Sequence, residues 1–134
     1  MKSFILSLFF LSVSFFTSAQ TIYKAAVTEM YTWNVSNNEW DLYQKHSDVK
    51  IEVCVEDEFI TIFAQSPTMY KIYKNTKEQI SFSKYSGHRY TAKDLKTDSF
   101  VTVEIVGNLD DQVALLSIIN KSEKYNLRYF LIVN

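Results

Sequence analysis

Val49-Lys50-Ile51-Glu52-Val53-Cys54-Val55-Glu56 is the stretch on which the fold turns. Successive side chains of an extended chain point to opposite sides, so Val49, Ile51, Val53 and Val55 share one face and Lys50, Glu52, Cys54 and Glu56 the other. A helix would scatter the same set around its circumference. Branching at Cβ stiffens valine and isoleucine in a way that suits a pleated surface. The period of two therefore predicts a strand with one apolar and one polar face.

The same signature recurs on both sides of this segment: Ile22 to Trp33, Trp40 to Lys45, Phe59 to Ala64, Met69 to Tyr73, Gln79 to Tyr85, His88 to Ala92, Phe100 to Val106, Val113 to Ile119 and Leu127 to Val133. Val113 to Ile119, with Leu115, Leu116, Ile118 and Ile119, also suits a short helical turn, as does Thr91 to Ser99 with Asp94 near its start. Between them lie short polar links: Ser36-Asn37-Asn38, Glu56-Asp57-Glu58, Ser66-Pro67-Thr68, Asn75-Thr76-Lys77, Gly107 to Asp111 and Asn120 to Glu123. Asn, Asp, Ser and Pro form turns through local hydrogen bonds and preset dihedrals, so these links read as hairpin reversals. Such links join neighbours antiparallel and leave no room for parallel crossovers. The expected fold is all-β: a single antiparallel meander of about eight to ten short strands, closed or partly open as a barrel, with a two-layer sandwich as the alternative.

The first nineteen residues have a different character. Lys2 makes a positive start, Phe4 to Phe16 is apolar apart from serines, and Thr17-Ser18-Ala19 offers small residues for a signal peptidase. The segment is shorter than the roughly 20 residues that span a hydrocarbon core. It reads as a cleaved leader, leaving residues 20–134 as one β domain of about 115 residues, enough for an independent core. No cysteine follows the cleavage point to carry a lipid, so a secreted or periplasmic location is expected, without stable membrane insertion.

The formal charge of −1 becomes −2 when Lys2 leaves with the leader. Near-neutrality argues against nucleic acid, which calls for clustered Lys and Arg. The chain has one cysteine, Cys54, so no internal disulfide forms, and the thiol is expected to be covered as a small apolar group.

Chemistry-bearing motifs are sparse. His46, beside Ser47-Asp48 in an expected turn, and His88, beside Gly87 and Arg89, lack the spacing of a zinc site. The acidic clusters Glu56-Asp57-Glu58 and Asp110-Asp111 lack the alternation and glycine of a calcium loop. With two glycines, Gly87 and Gly107, there is neither a nucleophile elbow nor a phosphate-cradling loop. No metal or other cofactor is expected. Aromatic residues are abundant, and Trp33, Trp40, Tyr70 and Tyr90 are the candidates for lining a binding site, since such rings offer stacking area with a polar tip. The structural alternative is core filling and cross-strand pairing.

The layout of Met1 to Gln20, followed by a Lys-, Asn- and Tyr-rich β domain, resembles the small exported β proteins of Bacteroidota. In outline the meander is also similar to lipocalin-like barrels, although Tyr31-Thr32 precedes Trp33 where those barrels carry Gly-x-Trp. These resemblances imply no catalytic residue. The expected function is that of an exported, non-enzymatic β domain that binds a small apolar or aromatic ligand, or a protein or glycan surface. The alternative is a secreted hydrolase using strand-end carboxylates or His88.

Overall fold

The computed structural model describes residues 21–108, 110 and 113–132; the expected leader Met1 to Ala19, together with Gln20 and Val133, lies outside the described residues. Eight strands follow in order: β1 (Thr21–Asn34), β2 (Glu39–Val55), β3 (Phe59–Phe63), β4 (Thr68–Phe82), β5 (Tyr85–Asp94), β6 (Phe100–Asn108), β7 (Val113–Asn120) and β8 (Tyr125–Ile132). Each pairs antiparallel with the next, and β1 also pairs with β8, which closes the meander into a ring of hydrogen bonds. The ring is uneven. β2 has 17 residues and β3 only 5, so β3 covers β2 from Glu52 to Val55 alone and leaves Glu39–Ile51 paired on one side, to β1.

Ten sequence segments resolve into eight strands because two pairs merge. Trp40 to Lys45 and Val49 to Val55 belong to one strand, with Glu56 just past its end, so His46-Ser47-Asp48 is not a turn; Asp48 absorbs the irregularity with a left-handed φ of 59°. Met69 to Tyr73 and Gln79 to Tyr85 likewise share β4 up to Phe82. Asn75-Thr76-Lys77 is a bulge within that strand rather than a hairpin: the register with β5 jumps between Tyr73 and Glu78. Thr76 holds the bulge together, its hydroxyl donating to the Tyr73 carbonyl at 2.6 Å and accepting the Thr91 N–H at 2.8 Å. The reversal from β4 to β5 is made by Ser83-Lys84, with Ser83 at φ 53°.

Val113–Asn120 is a strand, not a helical turn, because each of its residues has a partner on both β6 and β8 or at the strand's end. After Asp94 the chain makes one helical-type turn and no helix: the Asp98 N–H reaches the Asp94 carbonyl, and the Asp94 carboxylate accepts from the Lys96 N–H at 2.9 Å. Two four-residue turns use one device. Asn34 accepts N–H bonds from Ser36 and Asn37, Asn120 accepts one from Glu123, and each turn ends in a left-handed residue, Asn38 or Lys124.

The alternation sorts apolar residues inward. Ala25, Val53, Ile60, Ile62, Ile72, Ala92, Val103, Leu116, Ile118 and Leu131 form one buried cluster drawn from all eight strands. The inside of the ring is thus a filled core, the arrangement that small barrels adopt when side chains occupy the interior.

On the outside, cross-strand partners line up as a charged row. Lys45 opposes Glu29, Glu29 opposes Arg128, Arg128 opposes Ser117, Ser117 opposes Glu104, Glu104 opposes Arg89, and Arg89 opposes Glu78. Opposite charges directly across a ladder are stabilising, and a one-residue slip of any strand would turn its charges into the core. Arg89 bonds Glu104 through two nitrogens, at 2.6 and 2.9 Å, and Arg128 lies over the Tyr31 ring at 4.5 Å. This outer row fixes register around six of the eight interfaces of the ring.

Candidate functional site

The four aromatic candidates go to three places. Trp33 near the end of β1 and Trp40 near the start of β2 oppose each other across the Val35–Asn38 turn, with ring centres 5.2 Å apart and planes at 73°. Such an edge-to-face pair holds both rings rigidly while leaving part of each in solvent. Both are half-buried and lie on the outer face, since Thr32 between Tyr31 and Trp33 takes the inward position beside Tyr125. The Trp33 N–H donates to the Lys124 carbonyl at 3.2 Å, which ties this hairpin to the turn between β7 and β8. That bond brings Lys121, Lys124 and Ile119 beside the two indoles, and together the five residues line an open groove of about 350 Å³. Among the described residues neither lysine makes an ion pair.

Ile119 and Lys121 also line a second groove, of about 440 Å³, that continues over β6 and β5 past Thr102, Thr91 and Thr76 to Arg89, Glu78 and Glu104. Its walls are polar where the first groove is apolar. The register explains the continuity, because Ile119 opposes Thr102 and Thr102 opposes Thr91 on the outer face. The Glu104 carboxylate, seconded by Glu78, raises the affinity of the Arg89 guanidinium for its proton, so Arg89 stays charged across the working pH range.

Tyr90 points the other way. It packs against the core and lines a cavity of about 290 Å³ at one mouth of the ring, with Val55, Ile60, Ile72 and Ile105 as its apolar wall. Lys74, Lys77, Glu56 and Asp57 form the rim, and Lys74 is ion-paired to Asp57. Tyr70 joins neither groove. It is 3 % exposed, opposes Asp94 inside the ring, and its phenol is pushed well above the usual tyrosine range, first by burial and then by the neighbouring Tyr129 and Asp94.

The remaining candidates for chemistry stay apart. His88 sets its ring 6.3 Å from that of Tyr90, and among the described residues it is hydrogen-bonded to no carboxylate. His46 is exposed on β2 opposite Thr28. The described residues contain no group of three His, Cys, Asp or Glu side chains able to hold a metal ion. Cys54 is buried, on the face of β2 opposite Val53, between Ile22 and Thr61.

Lysines 121 and 124 and the threonine row carry no sequence signal of their own. They join the tryptophans only because β8 returns to β1, a pairing that local pattern does not specify. Comparison with protein-family models, with curated proteins and with solved structures yields no match to this chain, so the site rests on its own geometry.

Proposed function

We propose that the protein is an exported, non-enzymatic β-barrel domain that binds a glycan across its outer face, with Trp33 and Trp40 as the contact platform. The observation that carries this reading is the half-buried, edge-to-face tryptophan pair beside hydrogen-bonding groups, on the outer face of a ring that keeps a packed apolar cluster within. A sugar ring has an apolar face for an indole and a rim of hydroxyls for polar neighbours, and stacking on tryptophan supplies area at little conformational cost. The charged row on the outer face and the apolar cluster within are the reverse of a lipid-embedded barrel, which supports a domain working in water. No helix among the described residues is long and apolar enough to cross a membrane.

The mouth cavity favours a second reading, a small apolar ligand seated against Tyr90 and Ile105. The hydrolase alternative gains less from the geometry, because a general acid or base needs a partner within hydrogen-bond reach and His88 has no carboxylate there among the described residues.

The chain has two tryptophans, and both sit in the groove, so selectively excited tryptophan fluorescence reports this site. Titration with neutral and acidic mono- and oligosaccharides is expected to give a saturable change that Trp40→Ala reduces at least tenfold in affinity. A fluorescence response confined to an apolar dye, and retained in Trp40→Ala, would instead favour the mouth cavity. Fluorescence unmoved by every saccharide sinks the glycan reading.

A further inference from the structure

We infer that the two outer grooves act as one cleft and that its ligand is an acidic oligosaccharide several units long; this inference rests on the glycan reading above. Ile119 and Lys121 line both grooves, so the tryptophan end and the arginine end adjoin. The cleft crosses the strands rather than running along them: Ile119, Thr102 and Thr91 sit on three successive strands in direct register. Neighbouring strands lie about 4.8 Å apart, close to the length of one pyranose unit, so each strand crossed offers a position for one further sugar.

The chemistry changes along this path in an order that a charged sugar chain matches. At one end the indoles take the apolar face of a ring. In the middle, Lys121 and Lys124 line the tryptophan groove with no carboxylate among its walls, which calls for an anionic group on the ligand. Beyond them the walls are hydroxyls from Thr102 and Thr91. Arg89, held between Glu104 and Glu78, ends the path as a set of donors and acceptors for sugar hydroxyls rather than as a free cation. The acidic position is therefore next to the tryptophans, and the far end, with one guanidinium against two carboxylates, suits uncharged sugar units. A simple apolar ligand would leave the threonine hydroxyls unused, and a neutral glycan would leave Lys121 and Lys124 without a counter-charge.

The test is calorimetric and fluorometric titration of the full domain with glucuronate, with a di- and a tetrasaccharide of glucose that each carry one terminal glucuronate, and with cellotetraose as the neutral counterpart. The singly acidic tetramer is expected to bind at least tenfold tighter than its shorter forms and than cellotetraose, and its affinity is expected to fall with added salt. Lys121→Gln is expected to abolish the preference for the acidic tetramer. Thr102→Val, a change of nearly equal size at a half-buried position, is expected to weaken the tetramer three- to tenfold and leave the shorter ligand unchanged. Binding that is independent of length, or tetramer binding unaltered by Thr102→Val, overturns the joined cleft while leaving the tryptophan platform standing. Equal affinity for cellotetraose overturns the acidic class. Absence of any tryptophan response overturns the platform itself and the cleft with it.

Discussion

Replacing either glycine by alanine adds a single methyl group, yet the structure separates the two outcomes widely. Gly87 opposes Ile80 on β4 and Val106 on β6. A Cβ at Gly87 would stand 2.0 Å from the Ile105 carbonyl oxygen, 2.8 Å from Val106 Cα and 2.9 Å from the Ile105 carbonyl carbon. All three are backbone atoms, so no side chain can swing aside. One strand must move by about 1 Å, which strains the β5–β6 pairing, and overpacking of this kind costs about 3 kcal/mol, the upper end of the usual range. Around Gly107 nothing lies within 4 Å of the added methyl, and its φ is not positive. Alanine there restricts mainly the unfolded chain and adds about 0.5 kcal/mol of stability. For a domain of about 115 residues, with an unfolding entropy near 2.1 cal/mol/K per residue, 3 kcal/mol corresponds to a Tm lowered by about 12 °C. Urea unfolding of the wild type and of both variants measures this, provided the denaturant slope is unchanged. If G87A and G107A lie within about 0.5 kcal/mol of each other, the close approach of β5 to β6 is wrong and so is the reasoning built on it.

Three further outcomes follow from the core. Leu116 is fully buried in the cluster, so Leu116→Ala is expected to cost about 2–5 kcal/mol in urea unfolding, whereas Ile22→Ala, 59 % exposed, stays within about 0.5 kcal/mol; equal losses would mean the interior is not packed. Burial pushes the Tyr129 phenol up to about 12 and the Tyr70 phenol higher still, against 10.0 in the unfolded chain. The folded state therefore holds protons that the unfolded state releases: full stability is present below about pH 10 and each group removes about 1.4 kcal/mol per pH unit above it, until its folded value is passed. Urea midpoints followed from neutral to strongly alkaline pH should fall, less steeply in Tyr129→Phe, and a flat profile would refute the burial argument. Cys54 is 3 % exposed, so a thiol reagent is expected to modify it at the rate of unfolding; immediate labelling of the native domain would contradict its cover.

Much of the architecture is legible in local pattern, because Val53 inward and Glu52 outward is a statement about neighbours two residues apart. Class, the inward and outward faces and most strand positions follow from it. Local composition fails where the backbone does something that composition does not encode. Asn75-Thr76-Lys77 has the residues of a turn, but the Thr76 hydroxyl supplies the hydrogen bond that a ladder partner would have supplied, and the strand continues past it. Ser83-Lys84 reverses the chain with a single serine and no Gly, Asn, Asp or Pro, too weak a mark to part Gln79 to Tyr85 in advance. The candidate site divides the same way. Trp33 and Trp40 flank a recognisable turn, and their meeting is a short-range event. Lys121, Lys124 and Ile119 arrive from the opposite end of the chain through the β1–β8 closure, and Tyr70 is drawn into the core by an alternation that treats its ring as apolar filler.

The brevity of β3 has a consequence for how copies of this domain behave toward one another. From Glu39 to Ile51 the free margin of β2 offers unsatisfied N–H and C=O groups, the kind of template on which sheets grow from molecule to molecule. Lys45, Asp48 and Lys50 stand along that margin, and the left-handed kink at Asp48 spoils its straightness. Charge and crookedness there act as guards against polymerisation, so that a ring left partly unsealed can remain solitary at high concentration.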